Sequence, residues 1–357
     1  MFKIKGKYSE AKVMIDDVEE SCIAQIFDMC NNEAFTNSIS IMPDCHSGKG
    51  SVVGFTMPVG DKIVPNVVGV DIGCGMLSFN IGNIEIDHED FDKKIRENIP
   101  FGMNINDKKG SYAISELEAL CKKIGMDYDY AVKSIATLGG GNHFIEIGKS
   151  SNTGDIWVTI HTGSRNLGKK VCEYWQDIAV KKSLNNGETF ADGIIRIKRE
   201  FPKSEWNNEI SNLRNNINMK KIRSTGLEYL KDSDLDGYLN DMYVAQNYAK
   251  INRQEICSII CKILGNPKIK EVIETIHNFI DPNDKIIRKG SVKSYVRKKF
   301  ILPFNPAAGL LICEGKSNPE WNFSAPHGAG RILSRSEAKR TITEDMAKES
   351  MKNVFST

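Results

Sequence analysis

Four of the six histidines in this chain stand in short motifs that are rich in small and polar residues. The motifs are GGGNH ending at His143, HTGSR beginning at His161, HN beginning at His277 and PHGAGR containing His327. Glycine beside a ligand lets the backbone approach a metal ion or a phosphate closely, and imidazole serves both as metal ligand and as nucleophile. We therefore expect the four motifs to form one site.

A fifth motif, Asp71-Ile72-Gly73-Cys74-Gly75, adds a carboxylate and a thiol. Together with His143, His161 and His277 it supplies enough ligands for two adjacent metal ions, provided that Cys74 bridges them. Two metal ions in one site most often serve phosphoryl chemistry. Thiolate and imidazole favour zinc and harder ligands favour manganese, so these residue types leave the identity of the metal open.

His327 has different neighbours from the other three histidines. Pro326 precedes it, Gly328-Ala329-Gly330 follows it, and Arg331 and Arg335 come shortly after. An imidazole flanked by backbone amides and guanidinium groups is suited to carry a phosphoryl or nucleotidyl group, because the arginines neutralise phosphate charge. A further metal ligand and a structural histidine are the alternatives that this motif leaves open.

Composition limits the kind of protein to which such a site can belong. With 357 residues, of which 40% are hydrophobic and 26% charged, the chain has the make-up of a soluble globular protein. It has no apolar run of transmembrane length, and its first residues alternate like a strand, which predicts a cytoplasmic protein. The nine cysteines lack the paired spacing of small secreted domains, so we expect reduced thiols.

Charge is unevenly distributed along the chain. The net charge of +2 argues against a strongly basic nucleic-acid coat, yet the stretch from Lys285 to Lys299 holds seven Lys or Arg residues and no acid. This stretch, which includes Lys289, is either a solvated strand face or a surface that follows phosphates. The sequence alone leaves both interpretations open.

Hydrophobic patterning predicts the elements that must position these motifs. The predicted elements are strands at 51–55, 67–70 and 157–160 and helices at about 115–135 and 235–264. The polar region 177–234 carries no interpretable motif and is predicted to be a surface insertion. Short strands and long helices without regular βαβ alternation predict an α+β fold.

These motifs, together with Pro43 to Gly50, occur in the order found in the RtcB family of RNA ligases. The similarity runs from about Ile41 to Met351, and the stretch from Gly315 to Phe323 resembles the compact bacterial members. The resemblance implies a single large domain over residues 1–357, with mixed and antiparallel sheets around a central metal pocket flanked by helices. Family members continue past the position of Thr357, so we expect their C-terminal segment to be absent here.

The resemblance also implies an activity and its cofactors. RtcB enzymes use GTP and manganese to join RNA ends bearing a 2′,3′-cyclic phosphate or a 3′-phosphate to ends bearing a 5′-hydroxyl. By match, His327 would be the guanylylated nucleophile and Cys74 would bridge two manganese ions. Asp71 and His143 would be the other ligands of the first ion. His161 and His277 would be the other ligands of the second ion.

Further residues are predicted to contact the nucleotide, the RNA or the ligands. Asn142 would hold a phosphate oxygen, and Glu146 would accept hydrogen bonds from the guanine edge. The remaining predicted residues are Gly328, Ala329 and Gly330 for the nucleotide, Arg165, Arg331, Arg335 and Lys289 for RNA or its phosphates, and Asp44 and His46 for orienting the metal ligands.

Two other functions compete with the ligase. One is a catalytically impaired paralogue that still binds metal and RNA, and the other is a metal-dependent RNA phosphodiesterase that uses water as nucleophile. Retention of His327, Asn142 and Glu146 favours the ligase, whereas the missing C-terminal lysine of the family, which contacts guanine, favours the alternatives. A covalent adduct with GTP would distinguish them.

Overall fold

The computed structural model describes residues 1–184, 190–222, 225–330 and 335–356. The strands are β1 (Phe2–Lys5), β2 (Glu10–Val13), β3 (Ile39–His46), β4 (Val53–Pro58), β5 (Lys62–Ile63), β6 (Gly75–Gly82), β7 (Phe144–Lys149), β8 (Ile156–Thr162), β9 (Leu230–Lys231), β10 (Glu271–Ile276), β11 (Asn278–Ile280), β12 (Ile286–Lys289), β13 (Ser291–Lys293), β14 (Lys299–Asn305), β15 (Gly309–Glu314) and β16 (Ser324–Pro326). The helices are α1 (Glu20–Cys30), α2 (Pro65–Val68), α3 (His88–Asn98), α4 (Leu117–Ile124), α5 (Tyr128–Lys133), α6 (Arg165–Leu184), α7 (Phe190–Glu200), α8 (Trp206–Ile222), α9 (Asp232–Ile263), α10 (Arg335–Thr341) and α11 (Glu344–Ser350). The predicted α+β class is confirmed.

A four-stranded antiparallel sheet has the strand order β10-β6-β8-β7. At one end of this sheet, β6 and β7 begin where β8 and β10 end. Gly75 at the start of β6 pairs with Thr162 at the end of β8 and with Ile276 at the end of β10. Phe144 at the start of β7 pairs with His161. Since neighbouring antiparallel strands start and end at the same edge, the residues next to these four ends must lie close together.

A six-stranded sheet has the order β1-β2-β3-β4-β12-β11. It lies next to these strand ends, since the Gly73 amide, just before β6, donates to the Asn278 carbonyl oxygen on β11 at 2.8 Å. His277 stands between β10 of the smaller sheet and β11 of the larger one. The pair β13 and β16 continues from β12, and Ser291 pairs with Pro326, the residue before His327. The junction of the two sheets therefore collects the histidine motifs.

The 32-residue helix α9 packs behind the smaller sheet and contacts β6 and β8. Its buried side chains recur at intervals of three and four residues, as in a helix with one face in the core. They are Tyr238, Asp241, Met242, Ala245, Tyr248, Ala249, Asn252, Arg253, Ile256 and Ile260. This helix confirms the one predicted at 235–264, and β8 confirms the strand predicted at 157–160.

Two predictions of secondary structure were wrong. Val67 and Val68 belong to the short helix α2 and not to a strand, because Pro65 fits the first turn of a helix. The helix predicted at 115–135 is divided into α4 and α5 because Gly125, at φ 65°, ends the first and the side chain of Asp127 caps the second.

The region 177–234 contributes the end of α6 and all of α7 and α8 within its described residues, and its role as an insertion stays a prediction. Within the four described ranges, no helix combines the length and the apolar character needed to cross a membrane.

Candidate two-metal site and adjacent histidine

Cys74 lies at the centre of the cluster of predicted metal ligands and is almost fully buried. Its Sγ lies 3.6 Å from His143 Nε2 and 3.5 Å from His161 Nε2. The potential ligand atoms form two groups, each with all atoms within 4.8 Å of one another: Asp71, Cys74 and His143, and Cys74, His161 and His277. Cys74 belongs to both groups, so the structure brings together all five predicted ligands in the predicted pairing.

Backbone carbonyls fix the orientation of two of the imidazoles. His143 Nδ1 lies 3.0 Å from the Leu138 carbonyl oxygen, and His161 Nδ1 lies 3.0 Å from the Asn142 carbonyl oxygen. Since a carbonyl only accepts, each Nδ1 must donate, so Nε2 is the nitrogen of each ring that faces the cluster. His277 Nδ1 is buried without a hydrogen-bond partner among the described residues, as expected of a ring whose partner is an external ligand.

The protonation states of the cluster suit cation binding. Burial, reinforced by the charge of His143, lowers the pKa of His161 to about 3, and burial also lowers the pKa of His277 well below its usual value. Burial works against ionisation of Asp71, but the hydrogen bond and charge of His143 outweigh it and lower the pKa of this carboxyl. Burial and the charge of Asp71 raise the pKa of Cys74, which favours the neutral thiol while no cation is bound. A bound cation would displace the proton and leave the thiolate as ligand.

A glycine makes room for Asp71 at the end of β8. A Cβ atom at Gly163 would lie 2.3 Å from Asp71 Oδ1, far inside van der Waals contact. The next residue, Ser164, donates a backbone hydrogen bond of 3.2 Å to the same oxygen. The HTGSR motif therefore supplies both a predicted ligand, His161, and the backbone that holds a second predicted ligand, Asp71.

His327 lies beside this cluster, with its ring centroid 5.0 Å from that of His277. Its Nδ1 is 2.7 Å from Asp44 Oδ2, a close contact that lacks the alignment of a hydrogen bond, and this oxygen accepts hydrogen bonds from the backbone amides of His327 and Gly328, both at 3.1 Å. Asp44 was predicted to orient metal ligands, and its partner is instead His327. His46 was also predicted to orient metal ligands, and its Nδ1 lies 3.2 Å from the Asp44 carbonyl oxygen.

A cavity of about 1150 Å³ opens onto His143, His161, His277 and His327. Pockets of this order hold ligands the size of a nucleotide. Its lining includes the residues predicted to bind the nucleotide: Asn142, Glu146, Gly328, Ala329 and Gly330. Glu146 is half-buried, and burial raises its pKa.

An aromatic pair that the sequence motifs do not predict lines this cavity. Phe355 stacks on His88 with ring centroids 5.9 Å apart, and both residues line the cavity. Neither residue stands in a motif, and they lie far apart in the chain, so only the fold could have indicated the pair.

Two of the residues predicted to bind RNA are engaged within the protein. Arg165 donates from Nε to Thr137 Oγ1 and from Nη2 to the Gly102 carbonyl oxygen, both at 2.9 Å. Lys289 is buried, and its Nζ donates to Ser51 Oγ at 2.8 Å and to the carbonyl oxygens of Lys49, Ser51 and Asn66.

The buried Lys289 differs from the surface phosphate contact that was predicted for it, because the backbone oxygens of Lys49, Ser51 and Asn66 enclose its ammonium group. Arg331 and the side chain of Arg335 lie outside the described residues.

The chain matches the family model of the tRNA-splicing ligase RtcB over residues 25–133 and 122–355. The chain belongs to the RtcB family. The RNA-splicing ligase RtcB of Escherichia coli K12 is 28% identical to it over 91% of this chain and 81% of that protein. RNA-splicing ligase RtcB homolog 1 of Entamoeba histolytica is 25% identical to this chain, over 93% of this chain and 74% of that protein. The tRNA-splicing ligase RtcB of Aeropyrum pernix is 24% identical to this chain, over 87% of this chain and 76% of that protein.

Proposed function

We propose that this RtcB protein is an RNA ligase that uses GTP and two manganese ions. It joins RNA ends bearing a 2′,3′-cyclic phosphate or a 3′-phosphate to ends bearing a 5′-hydroxyl. The observation that carries the proposal is the pair of ligand groups sharing Cys74, with His327 next to His277 at the wall of a nucleotide-sized cavity. We expect the protein to act in the cytoplasm.

His327 is the proposed nucleophile, and Asp44 is its positioning residue. With Nδ1 held by Asp44 Oδ2, the lone pair of Nε2 attacks the α-phosphorus of GTP. A nitrogen–phosphorus bond forms, the bond to the bridging oxygen breaks, and pyrophosphate leaves. Bound manganese ions would neutralise phosphate charge and orient the reacting oxygens.

The guanylyl group then activates the RNA. An oxygen of the RNA 3′-phosphate displaces His327 from the phosphorus, which leaves the guanylyl group on the RNA end. The 5′-hydroxyl of the second RNA attacks the 3′-phosphorus, releases its proton and displaces GMP. A 2′,3′-cyclic phosphate must first be opened by water to give the 3′-phosphate.

The cavity lining supports roles for the remaining predicted residues. We propose that Asn142 and the amides of Gly328-Ala329-Gly330 bind phosphate oxygens, and that Glu146 accepts hydrogen bonds from guanine. Arg165, which already contacts the loop before His143 through Thr137, would position this loop and face the RNA phosphates. Arg331 and Arg335 are proposed to contact RNA.

The test is a joining reaction between one RNA ending in 3′-phosphate and a labelled RNA beginning with 5′-hydroxyl, resolved on a denaturing gel. We expect a joined product only with GTP and manganese, and none from a pair ending in 3′-hydroxyl and 5′-phosphate. His327→Ala and Cys74→Ala should give no product. The matched control Cys121→Ala removes another buried thiol, in the apolar core, and should join as the parent does.

Three results would count against the proposal. Joining without GTP would remove the nucleotide step. Cleavage of cyclic phosphate without joining would point to a phosphodiesterase, and RNA binding with neither reaction would point to an inactive paralogue.

A further inference from the structure

Two adjacent polar residues on α9, Asn252 and Arg253, are completely buried behind the metal cluster. Burying an amide and a guanidinium costs free energy unless their hydrogen bonds are satisfied inside the protein. Their partners are backbone atoms, the Thr162 hydroxyl and one carboxylate, on four different segments of the chain. These segments are the ones that carry the proposed metal ligands.

Asn252 connects the loop before His143 to the loop after His161. Its Oδ1 accepts a hydrogen bond of 3.1 Å from the Thr137 amide, and its Nδ2 donates to the Thr137 carbonyl oxygen at 3.2 Å. The same Nδ2 donates to the Gly163 carbonyl oxygen at 3.2 Å. Thr137 leads directly into Leu138, whose carbonyl oxygen orients the ring of His143.

Arg253 connects the other ligand segments. Its Nη1 donates to the carbonyl oxygens of Gly73, at 2.8 Å, and Thr162, at 3.0 Å, which are the neighbours of Cys74 and His161. Its Nε donates to Glu274 Oε1 at 3.0 Å, and its Nη2 lies 2.9 Å from the same oxygen as an ion pair without hydrogen-bond alignment. Glu274 is on β10, the strand that ends just before His277. Glu274 also balances the buried charge.

The strand ladder cannot by itself set the geometry of this site. It fixes β6, β8, β7 and β10 side by side, but Asp71 and His143 stand on loops beyond the strand ends. A single rigid helix that bonds to all of these segments removes this freedom. Ligands held in place before the ion arrives bind it more tightly, because less ordering is needed on binding.

We propose that Asn252 and Arg253 are positioning residues that hold the ligand loops in register for two metal ions. The inference rests on the two-metal site of the proposed function. It extends that proposal to residues on α9 that act through backbone atoms next to the ligands. A merely structural role would predict a loss of overall stability without a specific effect on the ligand loops.

The first measurement is amide hydrogen exchange of the metal-free protein, comparing the parent with Asn252→Ala and Arg253→Lys. Lysine keeps a charge for Glu274, but its compact ammonium cannot reproduce the planar fork that contacts two carbonyl oxygens and a carboxylate. We expect faster exchange in 71–74, 137–143 and 161–164. The matched control is Tyr248→Phe on the same helix, which removes a buried hydrogen bond of 2.6 Å to the Ala131 carbonyl oxygen.

The second measurement is the manganese affinity of the same proteins, by calorimetry at a temperature where all are folded. We expect each α9 variant to bind at least one of the two ions about tenfold or more weakly, and Tyr248→Phe to bind both as the parent does. Exchange and affinity like those of the control would overturn the inference. A parent that does not bind two ions would instead overturn the two-metal proposal, while the exchange comparison would still test the role of α9.

Discussion

At the scale of single residues, Asp44 distinguishes the two ring nitrogens of His327. Its Oδ2 lies 2.7 Å from His327 Nδ1, which leaves Nε2 as the proposed nucleophilic atom. The sequence placed both residues in family motifs, but their contact joins segments 283 residues apart and required the fold. Side chains can be assigned to a site from motif chemistry, whereas their partners depend on tertiary structure.

Asp44→Asn should separate nucleophile activation from metal binding. The amide oxygen can still accept from the backbone of His327 and Gly328, but its affinity for the Nδ1 proton is lower and the other tautomer becomes accessible. We expect the rate of guanylylation to fall by about 10²-fold or more, with two manganese ions still bound. Adduct formation in rapid-quench experiments measures this rate, and a parent-like rate would refute the role of Asp44.

Glu146 should make GTP affinity depend on pH. The ionised carboxylate is the form that accepts hydrogen bonds from guanine, and burial raises the pKa of this group. Protonation therefore starts at a higher pH than for an exposed glutamate, and the affinity for GTP should weaken as the pH is lowered through that higher range. Glu146→Gln should bind more weakly at pH 7 and lose this dependence, as titration calorimetry would show.

Inosine triphosphate provides the control for this prediction. It lacks the exocyclic amine of guanine and so offers Glu146 one donor fewer, and the loss on Glu146→Gln should be smaller than with GTP. Equal losses for the two nucleotides would contradict contact between Glu146 and the guanine edge.

Lys289 should act as a buried anchor for the loop before β4. Burial lowers the pKa of this lysine to about 8, and its ammonium bonds to the backbone of Lys49, Ser51 and Asn66. Lys289→Met leaves these oxygens without their donor and should lower the free energy of unfolding by about 1–3 kcal/mol, measured in urea. The exposed Lys298→Met should leave stability unchanged.

The salt dependence of RNA binding by Lys289→Met tests the same point. Removing one cation that neutralises a phosphate of single-stranded RNA reduces the slope of log affinity against log salt by about 0.7. We expect an unchanged slope for Lys289→Met, and a reduced slope would restore the phosphate-binding role that the sequence predicts.

At the scale of elements, four predicted ligands of the site lie at or next to strand ends in one antiparallel sheet. Cys74 precedes β6, His143 precedes β7, His161 is the last residue but one of β8, and His277 follows β10. The strand delivering His161 was predictable from its apolar pattern. Pairing of strands that are almost 200 residues apart was not, because periodicity reports burial and carries no information on neighbours.

Gly163→Ala should displace Asp71 and weaken metal binding. The added methyl group would stand 2.3 Å from the carboxylate, so either the loop after β8 or Asp71 must move. We expect about a tenfold or greater loss of affinity for the ion of the Asp71, Cys74 and His143 group, measured by manganese titration. The control is Gly140→Ala, where the nearest heavy atom lies 3.6 Å away, and equal affinities for the two variants would contradict the argument.

At the scale of the whole molecule, the fold places two groups of candidate metal ligands, a histidine in contact with a carboxylate and a nucleotide-sized cavity at the junction of two sheets. The motifs predicted which side chains meet, because their chemistry is concentrated in short segments. They could not predict Asn252 and Arg253, which occur as ordinary polar members of a helical pattern. Nor could they predict the pair of His88 and Phe355, which only the fold brings together.

The most direct test of the central claim is the transfer of label from α-labelled GTP to the protein in the presence of manganese, followed on a denaturing gel. We expect a stable adduct on the parent, none on His327→Ala or without manganese, and release of the label as RNA 3′-phosphate is added. Absence of label from a parent protein that binds two manganese ions would contradict the proposed ligase mechanism. Label on His327→Ala would show that another residue is the nucleophile.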